Sequence, residues 1–524
     1  MTLAGDKNTI GLTYSMAFEE YQITKDQNLF EEVIDRMMLE GFAPEFADKI
    51  MSLPLKDKRM AILSLLDKDR DLFLKIKALI NNDIGKMDHI KDVILMLRKY
   101  VKVGEVEKKK FGEVMTPLEL VKEMMATLPE EVWSNPNLKW LDPANGTGPY
   151  PMWVIFRLMK GLEEWEPNEE IRYKHIVENM IYVCELQPKN MFLYMCAVDP
   201  WDIYKLNIYT GSFLEAGFDK HMKEIWGVEK MDVIIGNPPY QTENNSTITT
   251  TSSNVKLWRI FIERSFNLMK NNGYLNFVTP SSWASGTKNP HNSTNLFNDI
   301  FNKKNTIFVS FDVSKYFEGI GVDFSYYLIQ NIEYKGLTKF KCDSIITEVN
   351  LSNFNLLPRT INSKIFSILN KLLIIDKFDF KMDRKDHYGK SLQKDCSDKF
   401  NIPVYCGPSK GILYSDKSSP YLNSPKIFTH RISSLKMIDD QNAKISTNYS
   451  QIYLLKDKEI GKNACSLFST KFYNFLYKLF QYTQYNESIT LNQLPKVDLS
   501  IEWTDEKLFE YFGLTEDEKK LILK

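Results

Sequence analysis

Residues 232–240 read Asp232-Val233-Ile234-Ile235-Gly236-Asn237-Pro238-Pro239-Tyr240. Three consecutive β-branched apolar residues, stopped by a glycine and two prolines, predict a short buried strand with an abrupt end. The same texture recurs outward along the chain. Trp140-Leu141 precedes Asp142 and a glycine loop, Ile181-Tyr182-Val183-Cys184 precedes Glu185, and Leu275-Asn276-Phe277-Val278 precedes Thr279-Pro280. Helical patterns fill the intervals from Phe111 onward. Short apolar strands alternating with helices predict an α/β domain built on a parallel, doubly wound sheet. In such sheets ligands sit at the carboxyl ends of the strands.

The whole chain, 524 residues, exceeds one ordinary core, so two or three domains are expected. Hydrophobic residues at 43% and charged residues at 26% fit a folded soluble protein rather than a disordered one. The net charge of −1 means that any surface for nucleic acid must carry its positive charge locally. The cysteines are scattered without a CxxC pair, which speaks against a zinc site or a disulfide framework. No metal site, secretory leader or membrane span is expected, and a cytoplasmic location is. Residues up to about 100 show helical spacing, as in Phe30, Val33, Ile34, Met37 and Met38, with no catalytic signature. Residues 241–254 are polar and low in complexity, as mobile loops are. Between Asn401 and Gln481 Lys and Arg outnumber Asp and Glu, interleaved with aromatics. Thr515 and Glu518 have the spacing of a helix capping box.

Asn237-Pro238-Pro239-Tyr240 carries the chemistry. An exocyclic amine on a planar base is a poor nucleophile, because its lone pair is delocalised into the ring. Two acceptors that hold its N–H groups direct the nitrogen at a methyl donor. The Asn237 side-chain oxygen and the Pro238 carbonyl supply two such acceptors, and a proline brings no competing N–H. Tyr240 offers an aromatic face to a base taken out of its stack. Asn-Pro alone would be an ordinary turn after a strand. The loop Asp142-Pro143-Ala144-Asn145-Gly146-Thr147-Gly148-Pro149-Tyr150 is neither the GxGxxG spacing nor a phosphate loop, yet a strand, an acid and two glycines suit a nucleoside cofactor. Glu185, at the end of the next strand, can take both ribose hydroxyls.

In this order the motifs resemble the gamma class of N6-adenine DNA methyltransferases, TaqI-type, from about Phe111 to Asn331 with a looser echo to Pro495. The resemblance implies a Rossmann-like class I methyltransferase sheet, S-adenosylmethionine as cofactor and double-stranded DNA as partner. It also implies site-specific methylation of N6 of a flipped-out adenine, in restriction-modification or phage DNA protection, in a bacterial cell or a phage-infected host. Gly112-Glu113-Val114-Met115-Thr116-Pro117 corresponds to the family's cofactor-capping motif, which puts Thr116 beside the cofactor. Asp142, Pro143, Ala144, Gly146 and Gly148 correspond to its first motif and Glu185 to its second. Gly211-Ser212-Phe213-Leu214 corresponds to the third, with Phe213 packed on the cofactor adenine. The catalytic motif assigns Asn237, Pro238 and Tyr240 to the target base and Asn237 and Pro239 to the cofactor side. Phe317, near Phe324 and Tyr326, corresponds to a second base-stacking aromatic. The chain departs from the family at Ser212, where Asp is usual and a serine binds adenine more weakly. Asn145, Tyr150 and Gln187 are also atypical.

The implied organisation is a helical segment over 1–104, a methyltransferase domain over 105–345 and an α+β target-recognition domain over 346–524, ending near Leu491–Pro495. A monomer is expected, with a cognate restriction endonuclease as a further partner. The same tetrad also serves enzymes acting on RNA bases, cytosine N4 or protein glutamine, but about 170 residues follow the catalytic region here, which favours a long duplex target. A fused restriction-modification protein is the other alternative, against which stands the lack of a nuclease acid cluster in the N-terminal segment. Asp323, Glu333 and Lys335 read as a strand of the sheet and its exit rather than a nuclease core. His430-Arg431 fits a surface pair as well as a phosphate contact.

Overall fold

The computed structural model describes residues 116–199, 203–240, 256–285, 295–317, 323–358, 361–383, 391–407, 409–430, 435–440, 445–447, 450–481 and 487–524. The helices expected over 1–104, the residues 112–115 of the capping motif, the polar loop 241–254 and Arg431 lie outside them. The described chain divides into two compact units. Residues 116–281 and 299–341 form one, and 282–285, 295–298 and 342–524 form the other. The second unit therefore takes two short pieces from a stretch that the contiguous split assigned to the first.

In the first unit, helix α1 (Leu118–Met125) precedes β1 (Trp140–Asp142), α2 (Pro149–Gly161), α3 (Glu169–His175) and β2 (Ile181–Glu185). Then come α4 (Pro188–Val198), β3 (Asn207–Thr210), α5 (Ala216–Glu224), β4 (Met231–Gly236), α6 (Leu257–Leu268) and β5 (Met269–Pro280). Strands β6 (Lys304–Ser310), β7 (Phe324–Glu333) and β8 (Thr338–Cys342) complete it. All four strand segments marked by the apolar runs lie inside β1, β2, β4 and β5, and Asp323 and Glu333 fall at the two ends of β7.

Every residue of β1, β2 and β3 is buried, the signature of strands covered on both faces by helices. The order is β3-β2-β1-β4-β5-β7-β6-β8. Strands β1 to β5 are mutually parallel, β8 is parallel to β6, and β7 lies antiparallel between β5 and β6. The wholly parallel sheet expected from the alternation is corrected at that side. The described part of the link from β6 to β7 holds only the 3-10 turn Ser314–Tyr316 and no crossover helix, so β7 returns antiparallel. The chain leaves β1 for β2 and β3 on one flank and returns to β4 and β5 on the other. That reversal opens a crevice outside the carboxyl ends of β1 and β4, where Asp142 and Gly236 stand, with Glu185 next to them on β2.

The second unit is α+β. It has a four-stranded and a three-stranded sheet, with helices that include Ser363–Leu372, Gly461–Ser469 and Lys471–Phe480. Its interior holds a paired charge, Lys426 Nζ to Asp440 Oδ2 at 2.5 Å, both side chains almost wholly buried. The Trp283 and Phe297 rings stack at 6.4 Å, and the Leu357 N–H donates to the Ala284 carbonyl at 3.0 Å. The two pieces from before residue 299 thus belong to this core. The last helix, Glu516–Leu523, starts with the capping box expected of Thr515 and Glu518.

Candidate active site

The glycine loop begins where β1 stops. Asp142 Oδ1 accepts the Ala144 N–H at 3.1 Å, which folds the chain back on itself. Gly146 sits at φ 55° and Gly148 at φ 91°, the left-handed region that glycine enters without strain. A Cβ on Gly148 would stand 2.4 Å from the Tyr194 ring. Pro149, with its preset φ, then opens α2. Pro143 is buried and Ala144 half-buried in this turn.

Glu185 braces the loop. Its Oε2 accepts the Gly146 N–H at 2.8 Å and its Oε1 the Gln187 N–H at 2.8 Å. The Asn190 side-chain amide also donates to Oε1, at 3.5 Å. Asp142 differs. Its Oδ2 is buried and meets no hydrogen-bond partner among the described residues, and neither does Asn145 Oδ1 in the same loop. Gly236, at φ 142°, lies against the same carboxyl: a Cβ there would come within 2.7 Å of Asp142 Oδ1. Burial pushes the Asp142 carboxyl up to about 8; the nearby Glu185 adds to the rise and the Ala144 N–H opposes it.

A carboxyl whose folded pKa exceeds its unfolded value contributes stability at low pH that is lost as pH rises through the folded pKa. Asp142→Asn keeps an acceptor for the Ala144 N–H without the titrating proton. The variant is expected to gain thermal stability over the parent, with a gain that grows from about pH 5 to pH 8 and then levels off. Thermal unfolding across that range checks this, and a pH-independent difference would mean an ordinary carboxyl.

At the end of β4, Asn237 and Tyr240 are half-exposed and Pro238 is buried. The Asn237 amide donates from Nδ2 to Thr116 Oγ1 at 3.0 Å, and the Tyr240 hydroxyl donates to Asn237 Oδ1 at 2.5 Å. The Tyr240 ring lies 5.0 Å from Phe324, which lies 4.6 Å from Phe317. Phe324 therefore joins the aromatic group, a role that the sequence pattern left to Phe317. Tyr326 is directed elsewhere, its hydroxyl donating to Glu123 Oε2 at 3.4 Å. The same carboxylate accepts from Tyr316, Lys315 and Lys341, which ties the turn before Phe317 to α1.

The third motif is built differently from the expectation. Ser212 Oγ accepts the Leu214 N–H at 3.2 Å. Phe213 is 1% exposed, packed by Phe218 and Phe261 with the Arg264 guanidinium over its ring at 5.3 Å. A carboxylate is nevertheless present three residues beyond Ser212: Glu215 Oε1 accepts the Ser212 N–H at 2.9 Å and the Tyr209 hydroxyl at 2.5 Å. Sequence reasoning missed Glu215, although an acid three residues after a serine that stands for Asp was a visible signal. It also missed Leu186, half-exposed beside Glu185 and a ready apolar surface for a nucleobase.

A buried carboxyl with one oxygen unpartnered among the described residues, a carboxylate at the next strand end and an exposed leucine fit a cationic nucleoside such as S-adenosylmethionine. Among the described residues no group of histidines, cysteines and acids could hold a metal ion, and no helix is long and apolar enough to cross a membrane.

Comparison with known proteins adds to this geometry. Residues 198–317, which include the Asn237 turn, match the model of the Eco57I restriction-modification methylase family. An adenine-specific methylase of Mycoplasma pneumoniae, itself uncharacterized, is 27% identical over 324 residues, covering 48% of this chain and 75% of that protein. A Methanocaldococcus jannaschii protein described as a type II restriction enzyme and methyltransferase is 38% identical over 103 residues, 18% of this chain and 8% of that protein. Among solved structures, the type IIL restriction-modification enzyme MmeI in complex with DNA aligns with a TM-score of 0.42 at 11% identity, over 92% of this chain and 83% of that one. The similarity to these restriction-modification and adenine-specific methylases is centred on the segment that carries the Asn237 turn.

Proposed function

We propose that this enzyme, of the gamma class by motif order, methylates N6 of an adenine rotated out of double-stranded DNA. The observation that carries the reading is the Asn237 amide: its oxygen accepts a hydrogen bond on the side of the Tyr240, Phe324 and Phe317 rings. An acceptor beside an aromatic face suits a flat base with an amino group. S-adenosylmethionine supplies a methyl on a sulfonium. Asn237 Oδ1 and the Pro238 carbonyl hold the two amino hydrogens while the nitrogen forms its bond to the methyl. The methyl would come from that sulfonium, whose sulfur would keep the S–CH3 electron pair, and the extra proton on nitrogen would leave to water. Tyr240 stacks on the base, with Phe317 and Phe324 behind it. Asp142 faces the cationic end of the cofactor, Glu185 its ribose, and Thr116, Pro143, Ala144, Gly146, Gly148, Ser212, Phe213 and Pro239 line the rest.

Site choice falls to the second unit, whose residues from Asn401 to Gln481 carry the excess of Lys and Arg. The enzyme works as a monomer in the cytoplasm, with a restriction endonuclease as its counterpart. Expression in a host without DNA methylation, followed by mass spectrometry of its nucleosides, tests the reading. N6-methyladenine in one sequence context is expected. N4-methylcytosine alone overturns the adenine assignment, and methylated RNA or protein with unmodified DNA overturns the DNA assignment.

A further inference from the structure

Asn237 is useful only one way round. Its amide must present the oxygen, not the NH2, to an incoming amine. Nothing in the covalent structure of the residue ensures this, since a half-turn about the last side-chain bond exchanges the two ends.

The neighbours set the orientation. Thr116 is buried, and its Oγ1 accepts from Asn237 Nδ2 at 3.0 Å. Thr116 also hydrogen-bonds Tyr150, a fully buried residue at the start of α2. The Tyr150 hydroxyl donates its hydrogen to Met124 Sδ at 3.3 Å, so toward Thr116 it can only accept. Thr116 has one hydrogen and spends it on Tyr150, which leaves it an acceptor toward Asn237. Only the NH2 end of the amide satisfies an acceptor. The donors therefore run in one direction, from Tyr240 through Asn237, Thr116 and Tyr150 to Met124. A flipped amide would set its oxygen against the Thr116 lone pairs and its NH2 against the base.

We propose that Tyr150 and Thr116 are positioning residues that hold the Asn237 oxygen toward the target base. Tyr150 stands where the chain departs from the usual glycine-loop pattern. The inference rests on the role given to Asn237 above, and the test keeps the two apart. Tyr150→Phe, Thr116→Val and Thr116→Ser are compared with the parent by single-turnover methylation of DNA and by S-adenosylmethionine titration. Protein labelled with 15N-asparagine, its Asn237 signal identified by loss in Asn237→Asp, reports the side-chain amide without any need for turnover.

Tyr150→Phe and Thr116→Val should each slow methyl transfer about tenfold, the value of one hydrogen bond, and Tyr150→Phe should keep cofactor affinity within about twofold of the parent. The double variant should be no slower than the worse single one, because both act through one amide. Thr116→Ser, which keeps the hydroxyl, should lose less rate than Thr116→Val. The Asn237 amide signal should move in Tyr150→Phe and Thr116→Val and stay in place in Thr116→Ser. An unmoved signal overturns the proposal whether or not the enzyme methylates DNA. Additive losses, or in Tyr150→Phe cofactor affinity falling in step with rate, overturn it as well. A moved signal in a protein that leaves DNA unmethylated supports the orienting chain while the DNA reading fails.

Discussion

Asn237→Ala is expected to lose methyl transfer by on the order of 10²–10³-fold, the loss seen when one group is removed from a preorganised polar cradle. Cofactor affinity should stay near that of the parent, because the Asn237 bond to the amine strengthens only as nitrogen attacks. The structure adds a reason for a clean result. The Asn237 amide is held by Thr116 and Tyr240, and neither bond supports the glycine loop. Truncation leaves the Thr116 and Tyr240 hydroxyls beside the half-exposed end of β4, where water can serve them. Rapid-quench methylation paired with calorimetry separates the outcomes. An equal fall in rate and cofactor affinity would move Asn237 from the target base to the cofactor.

Glu185→Ala should produce the largest change in cofactor binding. The substitution removes the acceptor proposed for the ribose, and it also removes the brace under the Gly146 and Gln187 N–H groups. Loss of a charged hydrogen-bond partner costs about 1.5–3 kcal/mol, or roughly ten- to hundredfold in affinity. Two further N–H groups lose their acceptor in the same step, so the upper end is expected. Glu185→Gln should fall between, since its amide offers one oxygen where the carboxylate offers two. Unchanged affinity in the alanine variant would place the ribose elsewhere.

Much of the catalytic unit was legible because its signals are local. An apolar strand that ends on a glycine or an acid declares itself within a few residues, and the four strands read this way lie where they were expected. The antiparallel return of β7 was not legible. Its residues spell a strand, but direction depends on the path of the link that precedes it. Within the candidate site, Asp142, Glu185 and Asn237 were proposed from their places at the carboxyl ends of strands, their side-chain chemistry and motif order. The Glu215 carboxylate and the Thr116–Tyr150 chain were missed because each acts through residues distant in sequence or through a turn whose shape the letters do not state. Phe213 was named by motif alone; its neighbours, Phe218, Phe261 and Arg264, come from elements the motif does not specify. The second unit offered charge, the Leu491–Pro495 echo, His430-Arg431 and a capping box, and of these only the capping box places an element, its last helix.

The assignment of 282–285 and 295–298 to the second unit bears on how such a protein could change its specificity. A recombination event with one crossover near residue 341 would import a new C-terminal half but keep the old Trp283 and Phe297. The imported half would then meet a foreign tryptophan and an old Ala284 carbonyl in the place of its own. Hybrids made at that single junction should express poorly, whereas hybrids that also exchange 282–298 restore the native pairing. Lineages that trade target preference would on this account inherit the two stretches together, although more than forty catalytic-unit residues stand between them in the gene.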